Sequence, residues 1–270
     1  MKFLVFGGGL GNQIFEYAFY RYLCNKFPNE KIYGFYKIRL SGHNGLEIDK
    51  RFRIKIPPAT WYSNLIVYFL YAIKKINPSS GLFDLDIYDT NERAVLHNAL
   101  KMNKRYIPQN KNWLPFNIDE NTLSKQNKEI LNQIRLTQSC FIHVRRGDYI
   151  TGKWKEHYIG TCPLDYYKKA IEDIKRINPN ICFYCFSDDI QWVKNNISGL
   201  SKVKYVDWNK GENSFIDMFL MSQCKNGIMA NSTFSYWAAI LGEKKQNIYY
   251  PTKWINGRTP DIFFPHWHTY

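Results

Sequence analysis

The sequence predicts an α/β fold built on parallel strands. Short apolar segments, rich in β-branched and aromatic residues, alternate along its 270 residues with longer segments whose apolar residues recur at helical spacing. Residues 2–6 are the first predicted strand, and residues 14–26 are the helix that follows it. Strands that alternate with helices form parallel sheets through right-handed crossovers. The length allows two small domains or one large one, and we place a domain boundary near residue 135.

A glycine-rich turn, Gly7-Gly8-Gly9-Leu10-Gly11-Asn12-Gln13, joins the first strand to the first helix. Glycine lets a ligand approach the backbone closely. Asn12 and Gln13 stand at the predicted helix start, where side chains can face such a ligand. The spacing does not fit the GxGxxG dinucleotide pattern. The alternative is a tight strand-to-helix turn in which Asn12 caps the helix.

The alternation is weak between residues 31 and 116 and clear in the second half of the chain. Predicted strands cover residues 140–144, 180–186, 203–206, 226–230 and 247–250. Predicted helices cover residues 119–136, 163–177, 190–195, 214–222 and 236–242. Residues 151–161 are polar and aromatic, and we predict that they form an active-site loop.

The predicted strand at residues 140–144 ends in a cluster of polar and charged residues. His143, Arg145, Arg146 and Asp148 stand at or just beyond its end. Ligands of open α/β sheets bind beyond the carboxyl ends of the strands, and the planar fork of arginine suits bidentate contact with phosphate. The cluster predicts an anion site. A surface Arg–Asp pair that closes a turn is the alternative.

Two further predicted strands end in polar clusters. Ser187-Asp188-Asp189 follows the strand at residues 180–186, and Asn231-Ser232-Thr233 follows the strand at residues 226–230. In a parallel sheet these ends point to the same edge as Arg145. Hydroxyl and backbone donors at a helix start favour negative charge, and a carboxylate can accept hydrogen bonds from ribose or guanine. The three clusters predict a nucleotide-diphosphate site without a Walker lysine or a metal-ligand cluster.

The formal net charge of +14 favours an anionic partner, which could be a nucleotide, a nucleic acid or an acidic lipid surface. We do not expect nucleic acid, because the lysines are dispersed and no known binding motif is present. The six cysteines are scattered. Cys182 and Cys185 have CxxC spacing, but they lie in a predicted strand, where their side chains face opposite ways. A reducing compartment explains them more simply than a metal or redox site does.

An apolar segment at residues 65–73 is too short to span a bilayer. Aromatic residues that include Trp61 and Phe69 surround it, and Lys74 and Lys75 follow. Peripheral contact with an anionic membrane would place the aromatic rings at the interface and the lysines toward the head groups. An ordinary core-facing helix is the alternative. Because we find no signal peptide, we expect a cytoplasmic protein that contacts the inner face of the membrane peripherally.

Four blocks of the sequence resemble motifs of the α-1,2-fucosyltransferases, within a wider group that includes α-1,6- and protein O-fucosyltransferases. The blocks are residues 8–18, 143–149, 186–189 and 231–239. They follow the family's order and extend nearly from end to end. His143-Val144-Arg145-Arg146-Gly147-Asp148 matches the H-x-R-R-x-D motif of enzymes that use GDP-fucose. Residues 30–115 match no motif, and we expect them to select the acceptor.

The resemblance implies a GT-B architecture, in which two Rossmann-like domains face each other across a cleft. Residues 1–135 would form the acceptor-side domain, and residues 136–270 the domain that binds GDP-fucose. The implied reaction transfers L-fucose from GDP-β-L-fucose to the 2-hydroxyl of a galactose residue, with inversion and without a metal or other cofactor. The implied acceptor is a galactose-terminated glycan, such as a bacterial surface polysaccharide or lipopolysaccharide.

The resemblance also assigns catalytic roles. Arg145 is expected to contact the diphosphate and to stabilise the departing GDP, with His143 and Asp148 beside it. Arg146 is expected to orient its neighbours. A base for the acceptor hydroxyl is a carboxylate or histidine within hydrogen-bond reach, and Asp148 and Glu16 are the candidates.

The remaining residues assigned by the resemblance bind substrates. Donor-side residues are Asp188, Asp217 for the guanine base, and Ser232, Thr233 and Phe234 for phosphate. Asn12 is an acceptor-side residue, which we count as catalytic, and Gly9 and Gly11 in the same turn are substrate-binding residues. Gly9 stands where the family often has arginine, so any phosphate contact from this turn must come from backbone amides or elsewhere.

Overall fold

A computed structural model of the protein describes residues 1–37, 43–88, 90–98, 100–110, 113–150, 160–243, 245–255 and 258–270. The chain divides into two compact units. Unit 1 comprises Met1–Pro115 and Pro260–Ile262, and unit 2 comprises Phe116–Thr259 and Phe263–Tyr270. The predicted loop at residues 151–161 lies outside the described residues, apart from its last two positions.

In the described part of unit 1, four parallel strands form a sheet in the order β2-β1-β4-β3. The strands are β1 (Lys2–Phe6), β2 (Ile32–Tyr36), β3 (Phe83–Asp84) and β4 (Leu96–Asn98). The helices are α1 (Leu10–Lys26), α2 (Ile48–Phe52) and α3 (Trp61–Ile76). Because β1 lies between β2 and β4, the turn after β1 lies where the strand order changes direction.

After Lys2, strand β1 is a continuous apolar run, because both of its faces are buried. Leu4 lies in one apolar cluster with Phe19 of α1. Phe3 lies in a second cluster, on the other face, with Val67 of α3. The two helices therefore cover opposite faces of the sheet, as in a Rossmann-like unit.

Unit 2 is built on a six-stranded parallel sheet in the order β10-β9-β8-β5-β6-β7, counted over its described residues. The strands are β5 (Ser139–Val144), β6 (Cys182–Ser187), β7 (Val203–Val206), β8 (Asn226–Ile228), β9 (Ile248–Tyr250) and β10 (His268–Thr269). The helices are α4 (Lys125–Leu136), α5 (Gly147–Ile150), α6 (Leu164–Ile177), α7 (Ile190–Asn196), α8 (Phe215–Gln223) and α9 (Thr233–Leu241). The strands and helices predicted for this half are present, with shifted ends.

The central strand β5 marks the point where the strand order of unit 2 reverses. After β5 the chain adds β6 and β7 on one side, and β8, β9 and β10 on the other. Ligands of open α/β sheets bind at such a switch point, beyond the carboxyl ends of the strands. The ends of β6, β5 and β8 are neighbours at this edge, as the sequence predicts.

The boundary between the units lies between Pro115 and Phe116 rather than near residue 135. The reason is helix α4, which belongs to unit 2. Asn127 of α4 donates a hydrogen bond to Asn209 at 2.8 Å, and Arg135 donates one to Gln223 of α8 at 3.4 Å. Sequence periodicity identifies such a helix but does not show which sheet it covers.

The two parallel-sheet units confirm the predicted α/β class and the two-domain, Rossmann-like architecture of GT-B proteins. All six cysteines are free thiols. Cys182 and Cys185 are three residues apart on strand β6, so their side chains face opposite sides of the sheet.

Candidate active site

Arg145, the first residue beyond β5, lies between two carboxylates. One guanidinium nitrogen is 2.7 Å from Asp148 Oδ1, and the other is 3.0 Å from Asp188 Oδ2. Burial opposes the charge, but the two carboxylates hold the pKa of Arg145 above its ordinary value. The side chain is still 31% exposed, so the fixed cation can meet a ligand.

Asp188 fixes the backbone of the turn that leaves β5. Its Oδ1 accepts a hydrogen bond from the amide of Arg146 at 2.9 Å, and its Oδ2 accepts one from the amide of Gly147 at 3.1 Å. A Cβ at position 147 would lie 2.8 Å from Asp188 Oδ2. Glycine permits this close approach, whereas a side chain at position 147 would displace the carboxylate.

Arg146 is directed toward the end of β6 and the start of α7. Its Nε lies 3.1 Å from Asp189 Oδ2, and its guanidinium stacks 4.0 Å from the ring of Trp192. Asp189 in turn accepts a hydrogen bond from the Trp192 amide at 3.1 Å and caps α7. These contacts suit the orienting role that the resemblance assigns to Arg146.

His143 lies buried on β5, with its ring centroid 5.8 Å from that of Phe234 on α9. Burial, with a further contribution from Arg145, lowers the pKa of His143 to about 3. The ring is therefore neutral near pH 7. Within the described part of the chain, no group forms a hydrogen bond with its buried Nδ1. A neutral imidazole with an unused nitrogen can donate to or accept from a ligand.

The start of α9 lies at the carboxyl end of β8, next to β5. Ser232 caps the helix by accepting a hydrogen bond from the Phe234 amide at 3.3 Å, and Thr233 is the first helical residue. The helix starts before the predicted residue 236, because Ser232 is a favourable cap. The first amides of a helix attract negative charge, so this end favours an anion.

Tyr149 joins the ends of β5 and β8. Its hydroxyl donates a hydrogen bond to the carbonyl of Asn231 at 3.0 Å, and the Arg145 guanidinium lies 5.9 Å from its ring. With the His143–Phe234 contact, this brings the three predicted polar clusters together. Tyr149 belongs to the second sequence block, but its residue type and position do not by themselves predict this role.

Asp217 lies in the first turn of α8, within a hydrogen-bond network that the sequence pattern did not predict. Asn209 donates a hydrogen bond to Asp217 Oδ1 at 2.7 Å, and both Asn209 and Trp208 donate to Asn127 of α4. Burial raises the pKa of Asp217 to about 7, and Asp207 adds to the shift. Asn209 follows strand β7, so the rule that identified the other strand ends would also have found it.

In unit 1, the glycine turn differs from the predicted geometry. Helix α1 starts at Leu10 and its cap residue is Gly9, so Asn12 is not the cap. Gly8 has a φ of +73°, and the side chain of Asn12 packs against the position that a Cβ at Gly8 would fill. Gly11 is buried in the first turn of the helix.

Gly9 itself is not required by sterics. A Cβ at this position would meet only the ring of His43, at an ordinary 3.6 Å. The backbone at position 9 therefore tolerates a Cβ, so glycine is not needed there to avoid a clash.

Gln13 and Glu16 are buried supports of this turn rather than ligand-facing groups. Gln13 donates hydrogen bonds to the carbonyls of Gly8 and Gly45, at 3.2 and 2.9 Å. Both carboxylate oxygens of Glu16 accept from the Gly7 amide, at 2.9 and 3.1 Å, and burial raises its pKa well above the ordinary range. Glu16 is only 3% exposed, so the structure argues against it as the base for an acceptor.

Within the described ranges, no group of three or more histidine, cysteine, aspartate or glutamate side chains is placed to bind a metal ion. Asp188 and Asp189, the acidic pair nearest the site, contact arginines and backbone amides instead.

The fold and the site define a protein of two parallel-sheet α/β units in which an arginine is held between two carboxylates at the carboxyl end of a central strand. The chain belongs to glycosyl transferase family 11, whose family model matches residues 87–269. This match extends from unit 1 through all three polar clusters of unit 2. It establishes a glycosyltransferase and leaves the sugar and the acceptor to be proposed.

Three relatives illustrate the range of the similarity. An α-1,2-colitosyltransferase of Escherichia coli is 31% identical over 96% of this chain and 93% of its own length. The O-antigen biosynthesis glycosyltransferase WbnK of Escherichia coli is 39% identical over 53% of this chain and 48% of its own length. Human galactoside α-(1,2)-fucosyltransferase 1 is 28% identical over 44% of this chain and 35% of its own length. Among solved structures, heptosyltransferase II of Escherichia coli superposes on this chain with a TM-score of 0.47 and 14% identity. The match covers 100% of this chain and 90% of the heptosyltransferase chain.

Proposed function

We propose that the protein transfers L-fucose from GDP-β-L-fucose to the 2-hydroxyl of a galactose residue, with inversion at the fucose C1. The observation that carries the proposal is the Arg145 guanidinium, fixed between Asp148 and Asp188 at the carboxyl end of the central strand. The family membership and the names of the relatives support the chemistry.

Arg145 would stabilise the leaving group. As the bond from C1 to the diphosphate oxygen breaks, negative charge grows on that oxygen. A cation already held in place lowers the energy of this transition state without reorganisation, and such electrostatic terms are usually the largest in catalysis. The start of α9, with Ser232 and Thr233, would bind the same diphosphate through hydroxyl and amide donors.

The acceptor oxygen would attack C1 from the face opposite the diphosphate and lose its proton. We propose Asp148 as the proton acceptor. Its carboxylate is 33% exposed beside Arg145, whereas Glu16 is buried beneath the glycine turn. An oxocarbenium-like transition state with a loose bond to the acceptor requires only modest help from a base.

Asp217 would recognise the guanine base. An ionised carboxylate can accept two hydrogen bonds from the N1 and N2 donors of guanine, which uracil does not present in that arrangement. Asn209 donates to Asp217 Oδ1 and holds the carboxylate in one orientation. With a pKa of about 7, Asp217 would bind guanine better as the pH rises above neutrality.

Unit 1 would supply the acceptor side, with Asn12 beside the glycine turn and residues 30–115 selecting the glycan. The O-antigen and colitosyl relatives favour a bacterial surface glycan as the acceptor. The six free thiols suit a reducing compartment, which favours action in the cytoplasm.

A GDP-linked colitosyl donor is the second candidate. The relative aligned over 96% of this chain is a colitosyltransferase, and colitose is L-fucose without its 3-hydroxyl. The same anion site and the same guanine recognition would serve either donor. Groups that contact the 3-hydroxyl would distinguish the two sugars.

A donor and acceptor screen tests both candidates. Purified protein is incubated with GDP-fucose, GDP-colitose, UDP-galactose and ADP-heptose, each with a panel of terminal β-galactosides. We expect GDP release with one of the two GDP sugars, and an α-1,2 linkage in the product by NMR. Turnover of UDP or ADP sugars alone, or a product with retained configuration, would overturn the proposal.

A further inference from the structure

Helix α3 in unit 1 presents an apolar face to solvent. The residues on this outer face are Trp61, Leu65, Tyr68, Phe69, Ala72 and Ile76, which recur at three- and four-residue intervals. Trp61 is 76% exposed, Phe69 65% and Ile76 86%. A surface helix of a globular protein normally carries polar residues on this side. An apolar patch of this kind marks an interaction site.

The opposite face of α3 is fully occupied, so the helix cannot bury its outer face by rotating. Val67 and Leu70 pack against the unit 1 sheet in the cluster that contains Phe3. The helix start is fixed by a reciprocal pair of hydrogen bonds between Thr60 and Ser63. The outer face of α3 therefore stays exposed while the opposite face packs against the sheet.

The charged side chains that α3 itself carries have one sign. Residues 61–76 contain neither aspartate nor glutamate, and Lys74 and Lys75 occupy the last turn. At the other end, Lys31 lies close enough to Tyr62 to interact with it electrostatically. The net charge of the whole chain is +14.

We propose that the outer face of α3 docks the protein on the surface of an anionic lipid bilayer. Trp61 and Tyr68 would lie at the level of the head groups, Leu65 and Phe69 would enter the acyl boundary, and lysines would contact lipid phosphates. None of the described helices is long and apolar enough to cross a membrane, so contact through α3 would be peripheral.

A bilayer fits this face better than a second copy of the chain does. Two copies that met through α3 would bring like charges together, with lysines at the ends of both helices and a charge of +14 on each partner. An anionic bilayer suits both the apolar side chains and the lysines of α3, because its apolar interior lies beneath a negatively charged surface. The inference stands whatever sugar the enzyme transfers.

Sedimentation with lipid vesicles tests the proposal. The full-length protein is mixed with vesicles of phosphatidylcholine alone or with phosphatidylglycerol added, at low and high salt. We expect binding to the anionic vesicles, and we expect salt to weaken it because screening removes the electrostatic part. No binding to either vesicle, or equal binding to both, would overturn the proposal.

Charge substitutions locate the binding surface. We expect the double variant Leu65→Glu/Phe69→Glu to bind anionic vesicles at least tenfold more weakly, with unchanged thermal unfolding because both side chains face solvent. Leu136→Glu is the control, since Leu136 is a solvent-facing leucine in unit 2, at 86% exposed against 59% for Leu65. Lys74→Glu/Lys75→Glu should also weaken binding, and Lys168→Glu on α6 should not.

Two results would assign this face to something else. If the Leu65→Glu/Phe69→Glu variant binds vesicles as the wild type does, α3 is not the docking surface. If light scattering shows a wild-type dimer that the same variant converts to monomer, the occupant is a second copy. Either result overturns the proposal.

Discussion

Asp188 at the end of β6 holds Arg145 beyond the end of the neighbouring strand β5, with 3.0 Å between its Oδ2 and the guanidinium. The same carboxylate accepts hydrogen bonds from the amides of Arg146 and Gly147. One side chain from β6 therefore fixes both the cation and the backbone that carries it. A preorganised cation of this kind is what a departing diphosphate requires.

We predict that Arg145→Lys nearly abolishes turnover while the protein stays folded. Lysine keeps the charge but loses the planar fork that contacts Asp148 and Asp188 together. The loss of a key preorganised donor typically costs about 3 kcal/mol of transition-state stabilisation, or roughly a hundredfold in kcat. Steady-state kinetics with circular dichroism measure both effects. Arg176→Lys, on the exposed side of α6, should be neutral, and near-wild-type activity of Arg145→Lys would contradict the assignment.

We predict that Gly147→Ala weakens donor binding and lowers activity. The added Cβ would lie 2.8 Å from Asp188 Oδ2, so the carboxylate would move away from Arg145. Calorimetric titration with GDP, together with kcat, should show both losses. Gly81→Ala is the control, because a Cβ there has no heavy atom within 4 Å. Equal behaviour of the two variants would mean that the Asp188 contact does not matter.

We predict that His143 makes the protein less stable in acid. Its folded pKa is about 3, below the ordinary value near 6.5, so between these values the unfolded chain binds the extra proton. The contribution is complete above pH 6.5 and is lost as the pH falls, by about 2 kcal/mol at pH 5. Urea unfolding at pH 7.5 and pH 5 should show a smaller fall for His143→Phe than for the wild type. Identical falls would refute a buried neutral histidine.

We predict opposite effects of Asp217→Asn on stability and on GDP binding. The folded pKa of Asp217 is raised to about 7, so its stabilising contribution is present at low pH and is lost as the pH rises through 7. Asparagine removes the buried charge, and the variant should be at least as stable as the wild type at pH 8. GDP affinity should fall at least tenfold and should no longer increase between pH 6 and pH 8.

Isothermal titration and thermal unfolding measure the two effects. Asp165→Asn, at an exposed position on α6, is the control and should change neither. Retained affinity for GDP in Asp217→Asn would place the guanine elsewhere.

We predict that activity survives an excess of EDTA. Asp188 forms an ion pair with Arg145, and Asp189 forms one with Arg146. No metal-binding cluster lies within the described residues. The charge on the diphosphate would then be neutralised by the protein alone. Loss of turnover with EDTA, restored by magnesium or manganese, would overturn this expectation.

In the second half of the chain, the local pattern of the sequence was sufficient to predict the strands and helices and the polar residues at three strand ends; between residues 31 and 116 it was not. Strand β5 is apolar on both faces because the sheet is covered on both, and its polar continuation at Arg145 marks where the strand leaves the core. The same reasoning located Asp188 and Ser232. Parallel strands then place all three at one edge.

Local pattern failed where a residue's partner is distant in the chain. Glu16 was a candidate base by residue type, but the fold places it under Gly7, where both oxygens accept from one amide. Asn127 and Asn209 are 82 residues apart and form a hydrogen bond with each other. Helix α4 therefore belongs to unit 2, and the boundary between the units follows Pro115. Neither contact can be predicted from the periodicity of the sequence.

By itself, therefore, the sequence determined the order of strands and helices in the second half of the chain and which polar residues stand at strand ends there, because periodicity and residue type are local properties. The tertiary structure alone decided that Asp188 holds Arg145, that Glu16 is buried, and that the outer face of α3 is exposed. The sequence pattern of an apolar residue is the same whether a sheet covers its side chain or water surrounds it. Only the packing of distant segments determines which of the two occurs.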